Sequence, residues 1–326
     1  MYRIARGIGF RFDPETAHHL ALGAVRLGRP LRALKRHAES DPVEVFGLRF
    51  PNRVGLAAGY DKDAVAWRAL AGLGFGHIEV GTVTPLPQPG HPRPRLHRYP
   101  EQRALINRMG FPSQGAAAVA PRLEGNRPAG LILGVSIGPN AATPPERRVD
   151  DYLVLVDRFR SLADYLTVNV SSPNTAGLRD LEGAPLGELL TAVKLRAGTT
   201  PVLVKLSPDL EDPETAVAAA TRSGVDGIIV GNTTVSRPGF GADTPPGGLS
   251  GAPLRPLALE QLRRVAAATR LPVIASGGIM SAADAAQRLA AGAALVQLYT
   301  GLVYRGPGLV KEVATRHQPP VTRQNR

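Results

Sequence analysis

From residue 54 onward the chain repeats one unit: a short apolar run rich in branched residues, then a stretch with helical spacing. The runs fall at 54–57, 77–83, 131–137, 165–170, 202–206, 227–230, 272–275 and 295–298. Helix-like stretches at 61–73, 149–163, 213–223, 258–268 and 282–290 separate most of them. Continuous apolar runs of this length read as strands buried on both faces, the pattern of a parallel sheet whose crossovers are helices. Eight such units close on themselves, so the predicted fold is α/β, a (β/α)8 TIM barrel. The interval from Thr84 to Gly130 is too long for one crossover and is expected to be a functional loop or lid.

At 326 residues the chain exceeds a barrel of about 250 and leaves room for an appendage. Asp13 is placed as an N-cap, Pro14 as first helical residue, and Ala17, Leu20, Ala21, Ala24 and Val25 as one helical stripe ended by Gly28 and Pro30. Leu31, Leu34 and Ala38 form a thinner second stripe flanked by Arg32, Lys35 and Arg36. Residues 43–54 read as a hairpin turning at Gly47. The expected division is therefore an N-terminal two-helix extension at 1–40, the barrel at 41–316 and a basic tail at 317–326. The extension is basic, with Arg3, Arg6, Arg11, Arg26, Arg29, Arg32, Lys35 and Arg36 against Asp13, Glu15 and Glu39. It either caps the domain or lies in a membrane interface with its cations at the headgroups; the stripes alone favour capping.

Composition removes several chemistries. The chain has no cysteine, which excludes disulfides, thiolate nucleophiles, Cys-based zinc sites and iron–sulfur ligation within it. Nothing approaches the roughly 20 apolar residues of a spanning helix, and no signal peptide pattern opens the sequence, so the cytoplasmic side is the default. A net charge of +12 calls for an anionic partner: nucleic acid, acidic lipid or small anions. The seven histidines show no metal-ligand spacing, and no metal is expected.

Polar or glycine residues follow strand after strand, at the ends where such barrels build active sites. Ser276-Gly277-Gly278 and Tyr299-Thr300-Gly301 fall where this fold binds phosphate. Lys205 interrupts an apolar strand; it needs an anion or acceptor inside the barrel, or else snorkels from the sheet end. Lys62 lies between Asp61 and Asp63 and either pairs with them or holds an anionic ligand. Asn169-Val170-Ser171-Ser172-Pro173-Asn174-Thr175 sets amides and hydroxyls on one turn with no charge among them, suited to gripping a flat polar ring. Ser172 cannot serve as a base unaided at neutral pH, and no His or acid neighbours it in sequence, so it needs a relay or a concerted transfer.

These residues resemble the class 2, quinone-linked dihydroorotate dehydrogenases over nearly the whole chain. The resemblance is carried by Phe12-Asp13-Pro14-Glu15-Thr16-Ala17-His18, Gly55 through Asp63, Glu79 through Pro85, Ile106 through Phe111, Asn169 through Arg179, Asn232-Thr233-Thr234, Gly247 through Gly251 and Leu298 through Gly301. It implies an FMN enzyme that oxidises (S)-dihydroorotate to orotate in de novo pyrimidine (UMP) biosynthesis and is re-oxidised by a membrane quinone. By that analogy Ser172 takes the C5 proton. Lys62, Asn107, Asn169, Asn174, Asn232 and Thr233 hold the substrate, beside the segment Arg108, Met109, Gly110 and Phe111. Ala58, Gly59, Tyr60, Asp61, Lys62, Thr82, Ser136, Asn169, Lys205, Gly231, Gly251, Gly277, Gly278, Tyr299 and Thr300 surround FMN, with Lys205 stabilising charge on the flavin. His18, Arg98 and Tyr299 line a quinone tunnel.

The class rests on Ser172, where soluble class 1 relatives use cysteine, and on the basic extension, whose reading shifts from capping to interface. The implied setting is peripheral, on the cytoplasmic face of the cell membrane against an anionic surface, with no nucleic acid and no iron–sulfur partner subunit. Three positions depart from the family pattern: Ser136 for the usual Asn, Gly231 for Thr or Ser, and Pro112 for Asn. Two rivals are weaker. One is a flavin barrel acting on RNA like the dihydrouridine synthases, which use a cysteine and add a helical domain. The other is a barrel that has lost turnover.

Overall fold

A computed structural model describes residues 2–28, 41–241 and 243–315. Its centre is a closed barrel of eight parallel strands: β3 (Val54–Leu56), β4 (His77–Val83), β7 (Ile132–Ile137), β8 (Tyr165–Asn169), β9 (Val202–Leu206), β10 (Gly227–Val230), β12 (Val273–Ser276) and β13 (Leu295–Leu298). Each strand pairs with the next in sequence, and β13 closes onto β3 through Val296 and Val54. All eight runs expected to be strands are strands, with ends moved by a residue or two. Their valines, isoleucines and leucines, the half-buried Ile132 apart, are buried because one face meets the helical ring and the other fills the barrel.

The barrel interior changes character along its axis. At the N-terminal end Tyr165, Leu203, Ile229, Ile274 and Leu295 form an apolar layer. The hairpin of β1 (Val43–Val45) and β2 (Leu48–Phe50) packs Val45 and Phe50 against it and so plugs that mouth. Phe46 and Gly47 turn the hairpin with φ of +56° and +73°, the two left-handed positions of a type I′ turn. Towards the C-terminal end the interior becomes polar. Register sets Asn169 beside Lys205 and Ser276 beside Gln297, and these side chains project toward the open mouth.

The helices largely follow their start signals. Asp212 caps Pro213–Arg222 by accepting from Thr215 N at 3.0 Å, and Ser281 caps Ala282–Ala290 by accepting from Asp284 N at 3.2 Å. The stretch expected to be helical over 61–73 forms a helix only at Trp67–Ala71. Asp61 is the reason: its carboxylate accepts from Val65 N and Ala66 N, both at 2.8 Å, and holds 61–66 as a loop.

The interval after β4 is not a loop without structure. It contains β5 (Leu96–Tyr99), β6 (Ala104–Asn107) and a helix at Ala116–Leu123. β5 and β6 join β11 (Gly248–Gly251) in an antiparallel sheet over the C-terminal mouth. Ahead of the barrel, α1 (Tyr2–Gly9) was not foreseen, whereas α2 (Pro14–Leu27) has the expected Asp13 cap, accepting from Glu15 N at 3.1 Å and Thr16 N at 2.9 Å. The second stripe at 31–38 and the tail at 317–326 lie outside the described residues. Tyr2 donates to Val303 O at 2.5 Å and Arg6 to Tyr304 O at 2.6 Å, which ties α1 to the last barrel unit. Leu22 of α2 joins the main core. Among the described residues no helix is long and apolar enough to cross a membrane.

Candidate active site

A cavity of about 820 Å³ opens at the C-terminal mouth and continues outward between α1, α2 and the antiparallel sheet. Most of the anticipated site residues line it, including Lys62, Asn107, Asn169, Ser172, Lys205 and Asn232. Ala58, Arg108, Ser136 and Gly231 do not. Ser136 lies behind the wall, its hydroxyl 3.0 Å from that of Thr82, which accepts from Asn169 Nδ2 at 2.7 Å. Gly231 has φ +107°, and a side chain there would bring its Cβ to 1.9 Å from Ser276 O. With that φ and Ser276 O so close, the backbone at this position admits only glycine.

Ser172 is buried at the cavity wall, and its Oγ accepts from Asn174 N at 3.3 Å. No imidazole or carboxylate contacts it among the described residues. Asn174 Nδ2 donates to Asn107 Oδ1 at 3.1 Å, joining the serine loop to the sheet above. Asn232 Nδ2 donates to Ser171 Oγ at 2.9 Å, and Ser171 Oγ donates to Asn169 Oδ1 at 3.0 Å. The mouth is thus a neutral, mutually ordered set of amides and hydroxyls. Thr233 lines this space and Thr175 lies outside it; the Oγ1 of each is buried without a hydrogen-bond partner. Phe111 faces the same space at φ +51°, an uncommon conformation for an aromatic residue and one that recurs at functional sites.

Two ammonium groups meet this neutral wall. Lys62 donates to Gly59 O at 2.7 Å, and burial pulls its pKa down to about 8 against the opposing pull of Glu15 and Asp63. Lys205 is 4% exposed and has no hydrogen-bond partner among the described residues; burial lowers its pKa while Glu79 raises it. Asp61 lines the cavity, but both its oxygens serve the 61–66 loop. Gly277 and Gly278, at φ +102° and +71°, end β12 in a turn that presents backbone toward the cavity beside Thr300.

The outer passage is aromatic. His18 packs edge-on against Tyr60 at 4.9 Å, and Tyr60 against Tyr299 at 5.5 Å. His18 Nε2 lies 2.8 Å from Tyr60 O, an acceptor only, so this nitrogen carries the proton. Burial pulls the His18 pKa down to about 4 and keeps it neutral. Arg98 donates to the carbonyls of Gly9, Phe10 and Phe12 and stacks over the Phe10 ring, closing the end of α1.

Residue types alone did not single out Arg179. It donates to Ser171 O at 3.0 Å and Thr233 O at 3.0 Å, and is held by Asp209 at 2.8 Å, so one guanidinium fixes both polar loops. Glu79 also escaped notice as a site residue, although it breaks an apolar strand as Lys205 does. Among the described residues no cluster of three or more His, Asp or Glu could hold a metal ion.

A parallel eight-stranded barrel with an amide-lined cavity and two buried lysines at its C-terminal mouth has the layout of a (β/α)8 enzyme. Comparison with known proteins agrees. The family model described as dihydroorotate dehydrogenase matches residues 42–317. The dihydroorotate dehydrogenase (quinone) of Aromatoleum aromaticum is 48% identical over 330 residues, covering 96% of this chain and 93% of the relative. That of Pseudomonas savastanoi pv. phaseolicola is 45% identical over 344 residues, covering 99% and 100%. The ferulenol complex of DHODH from Eimeria tenella superposes with a TM-score of 0.86 at 36% identity, covering 93% of this chain and 90% of that one. The chain belongs to the dihydroorotate dehydrogenase family, in its quinone-linked class, a family of flavoenzymes.

Proposed function

We propose that this chain oxidises dihydroorotate to orotate with FMN, Ser172 acting as base, and passes the electrons to a membrane quinone. The observation that carries this reading is the placement of the Ser172 hydroxyl in an uncharged amide mouth that shares one cavity with Lys62 and Lys205. Family membership and the quinone-linked relatives supply the reaction; the geometry supports the roles.

The cavity fits a flavin. Lys205 is a buried ammonium in want of an acceptor, and the Gly277–Gly278 turn presents backbone where a phosphate can be held. Gly59, Thr82, Asn169, Lys205, Gly251, Gly278 and Thr300 would hold FMN. Bound there, FMN would accept hydride from the substrate and release electrons to quinone.

The chain's own residues do the rest. Lys62, charged below about pH 8, holds the substrate carboxylate. Asn107, Asn174, Asn232 and Thr233 meet ring N–H and C=O groups, and amides suit a ring that alternates donors and acceptors. Arg179 keeps the two polar loops in register. Ser172 takes the C5 proton as its own hydroxyl proton moves out into the cavity that it lines. On this reading residues 41–316 carry the chemistry and residues 1–40 carry membrane and quinone access. The aromatic passage of His18, Tyr60 and Tyr299 is then the quinone route, and the extension sits peripherally on the cytoplasmic face.

The test is spectroscopic. The purified protein should carry one flavin, released by acid as FMN, whose visible band bleaches under anaerobic dihydroorotate and returns on adding a quinone. A flavin band that persists with dihydroorotate would refute the assignment.

A further inference from the structure

A buried polar layer crosses the barrel beneath the mouth, and neither the substrate contacts nor the flavin contacts account for it. Glu79 of β4 is fully buried inside the barrel. Three donors from two other strands converge on its Oε2: Tyr165 Oη at 3.2 Å, Thr167 Oγ1 at 3.0 Å and Gln297 Nε2 at 3.1 Å. Its Oε1 has no partner, nor has Gln297 Oε1, and no ion pair reaches Glu79 among the described residues. The layer is built into the strands. Tyr165 reaches Glu79 only because Gly134 has no side chain, since a Cβ there would lie 2.2 Å from the Tyr165 ring.

A carboxylate in an apolar barrel is costly unless it is paired or serves a purpose. Three donors converging on one oxygen are the hydrogen-bond geometry of a group that only accepts. The layer ends at the cavity, because Gln297 and Lys205 both line it. The positive charge coupled to Glu79 is Lys205, in register with Asn169 at the mouth and so one alternation above Thr167 of the Glu79 layer, likewise without a direct partner. Two opposite charges held apart in a low-dielectric barrel act on whatever ring lies over Lys205.

We propose that Glu79 is a positioning residue for charge: it offsets part of the Lys205 field and lowers the reduction potential of the flavin above it. A reduced flavin gains negative charge, so Lys205 favours reduction and Glu79 opposes it. The balance leaves the reduced ring a ready donor to quinone. This inference rests on the proposed flavin site and deepens it.

The experiment is the midpoint potential of the flavin-loaded enzyme, measured with a reference dye, for the wild type and E79Q. Glutamine keeps the shape and removes the charge. The potential is expected to rise by about 30 mV, a tenfold change in the two-electron equilibrium. Y165F removes one donor and leaves the charge, and should stay close to wild type. If E79Q does not fold, K205M and E79Q/K205M are compared instead, because the double variant carries no unpaired charge; its potential should exceed that of K205M by a similar step. An E79Q potential equal to wild type, or Y165F moving as far as E79Q, overturns the proposal. Wild-type bleaching by dihydroorotate is scored separately, so loss of this inference leaves the flavin assignment intact.

Discussion

Ser172, Lys62, Asn169, Asn174 and Asn232 were legible in sequence because each follows an apolar run at a barrel strand end, whereas Asn107, in the inserted sheet, entered only through the family resemblance. Their mutual bonds were not legible. The Asn174–Asn107 contact joins residues from a barrel loop and from the inserted sheet, and no spacing rule links the two. Lys205 was found because it breaks an apolar strand; the same rule applied to Glu79 would have found the layer below it. Lys62 allows a prediction at this scale. With its pKa near 8, the free enzyme loses its positive charge as pH rises through that value. KM for dihydroorotate should therefore rise tenfold per pH unit above about 8, while K62M should show a high KM without that limb. A flat KM between pH 7 and 9.5 would remove Lys62 from carboxylate binding.

Among the elements, the barrel strands and the capped helices were read correctly, whereas Ala116–Leu123 and Leu186–Ala197, each with a buried face, were not anticipated. The helix expected over 61–73 lost its first half to the Asp61 side chain. α1 was missed because it has no cap signal and buries none of its residues fully. It is fixed to the barrel by Tyr2 and Arg6, and leaves Ile4 71% and Ile8 57% exposed one turn apart. Such a pair suits a membrane interface. I4E/I8E should weaken binding to anionic vesicles at least tenfold and slow turnover with a long-chain quinone. Reduction by dihydroorotate should not change; co-sedimentation and anaerobic reduction rates decide this, and unchanged vesicle binding would count against an interfacial α1. A second element carries a pH signature. Glu182, in the short helix Arg179–Glu182, accepts from Ser207 N at 2.5 Å, and burial pushes its pKa up to about 7. The folded state binds this proton more tightly than the unfolded chain, so its contribution falls as pH rises from about 4.5 to 7. E182Q should accordingly raise Tm at pH 8 and converge with wild type near pH 4.5; an equal Tm at pH 8 would contradict this.

For the whole molecule, eight two-faced strands alternating with helices matched the number at which a parallel sheet closes, so the barrel was legible before any contact was known. What fills it was not, because the interior side chains meet across strands far apart in sequence. His77 illustrates this. It is fully buried against Phe50 with neither ring nitrogen bonded, and burial pulls its pKa down to about 3. Below about pH 6.5 the unfolded chain takes a proton that the barrel refuses, so stability falls with pH by about 1.4 kcal/mol per unit. H77F should gain about 2 kcal/mol over wild type on going from pH 8 to pH 5 in urea unfolding. A gap independent of pH would show that His77 does not titrate on unfolding.

The account as a whole depends on a serine doing base chemistry in a neutral mouth, and anaerobic rapid mixing with dihydroorotate tests it most directly. Wild type should bleach its flavin band promptly. S172A should bind FMN and orotate as wild type does, yet bleach about 10²–10⁴-fold more slowly. Bleaching of S172A at the wild-type rate would contradict it.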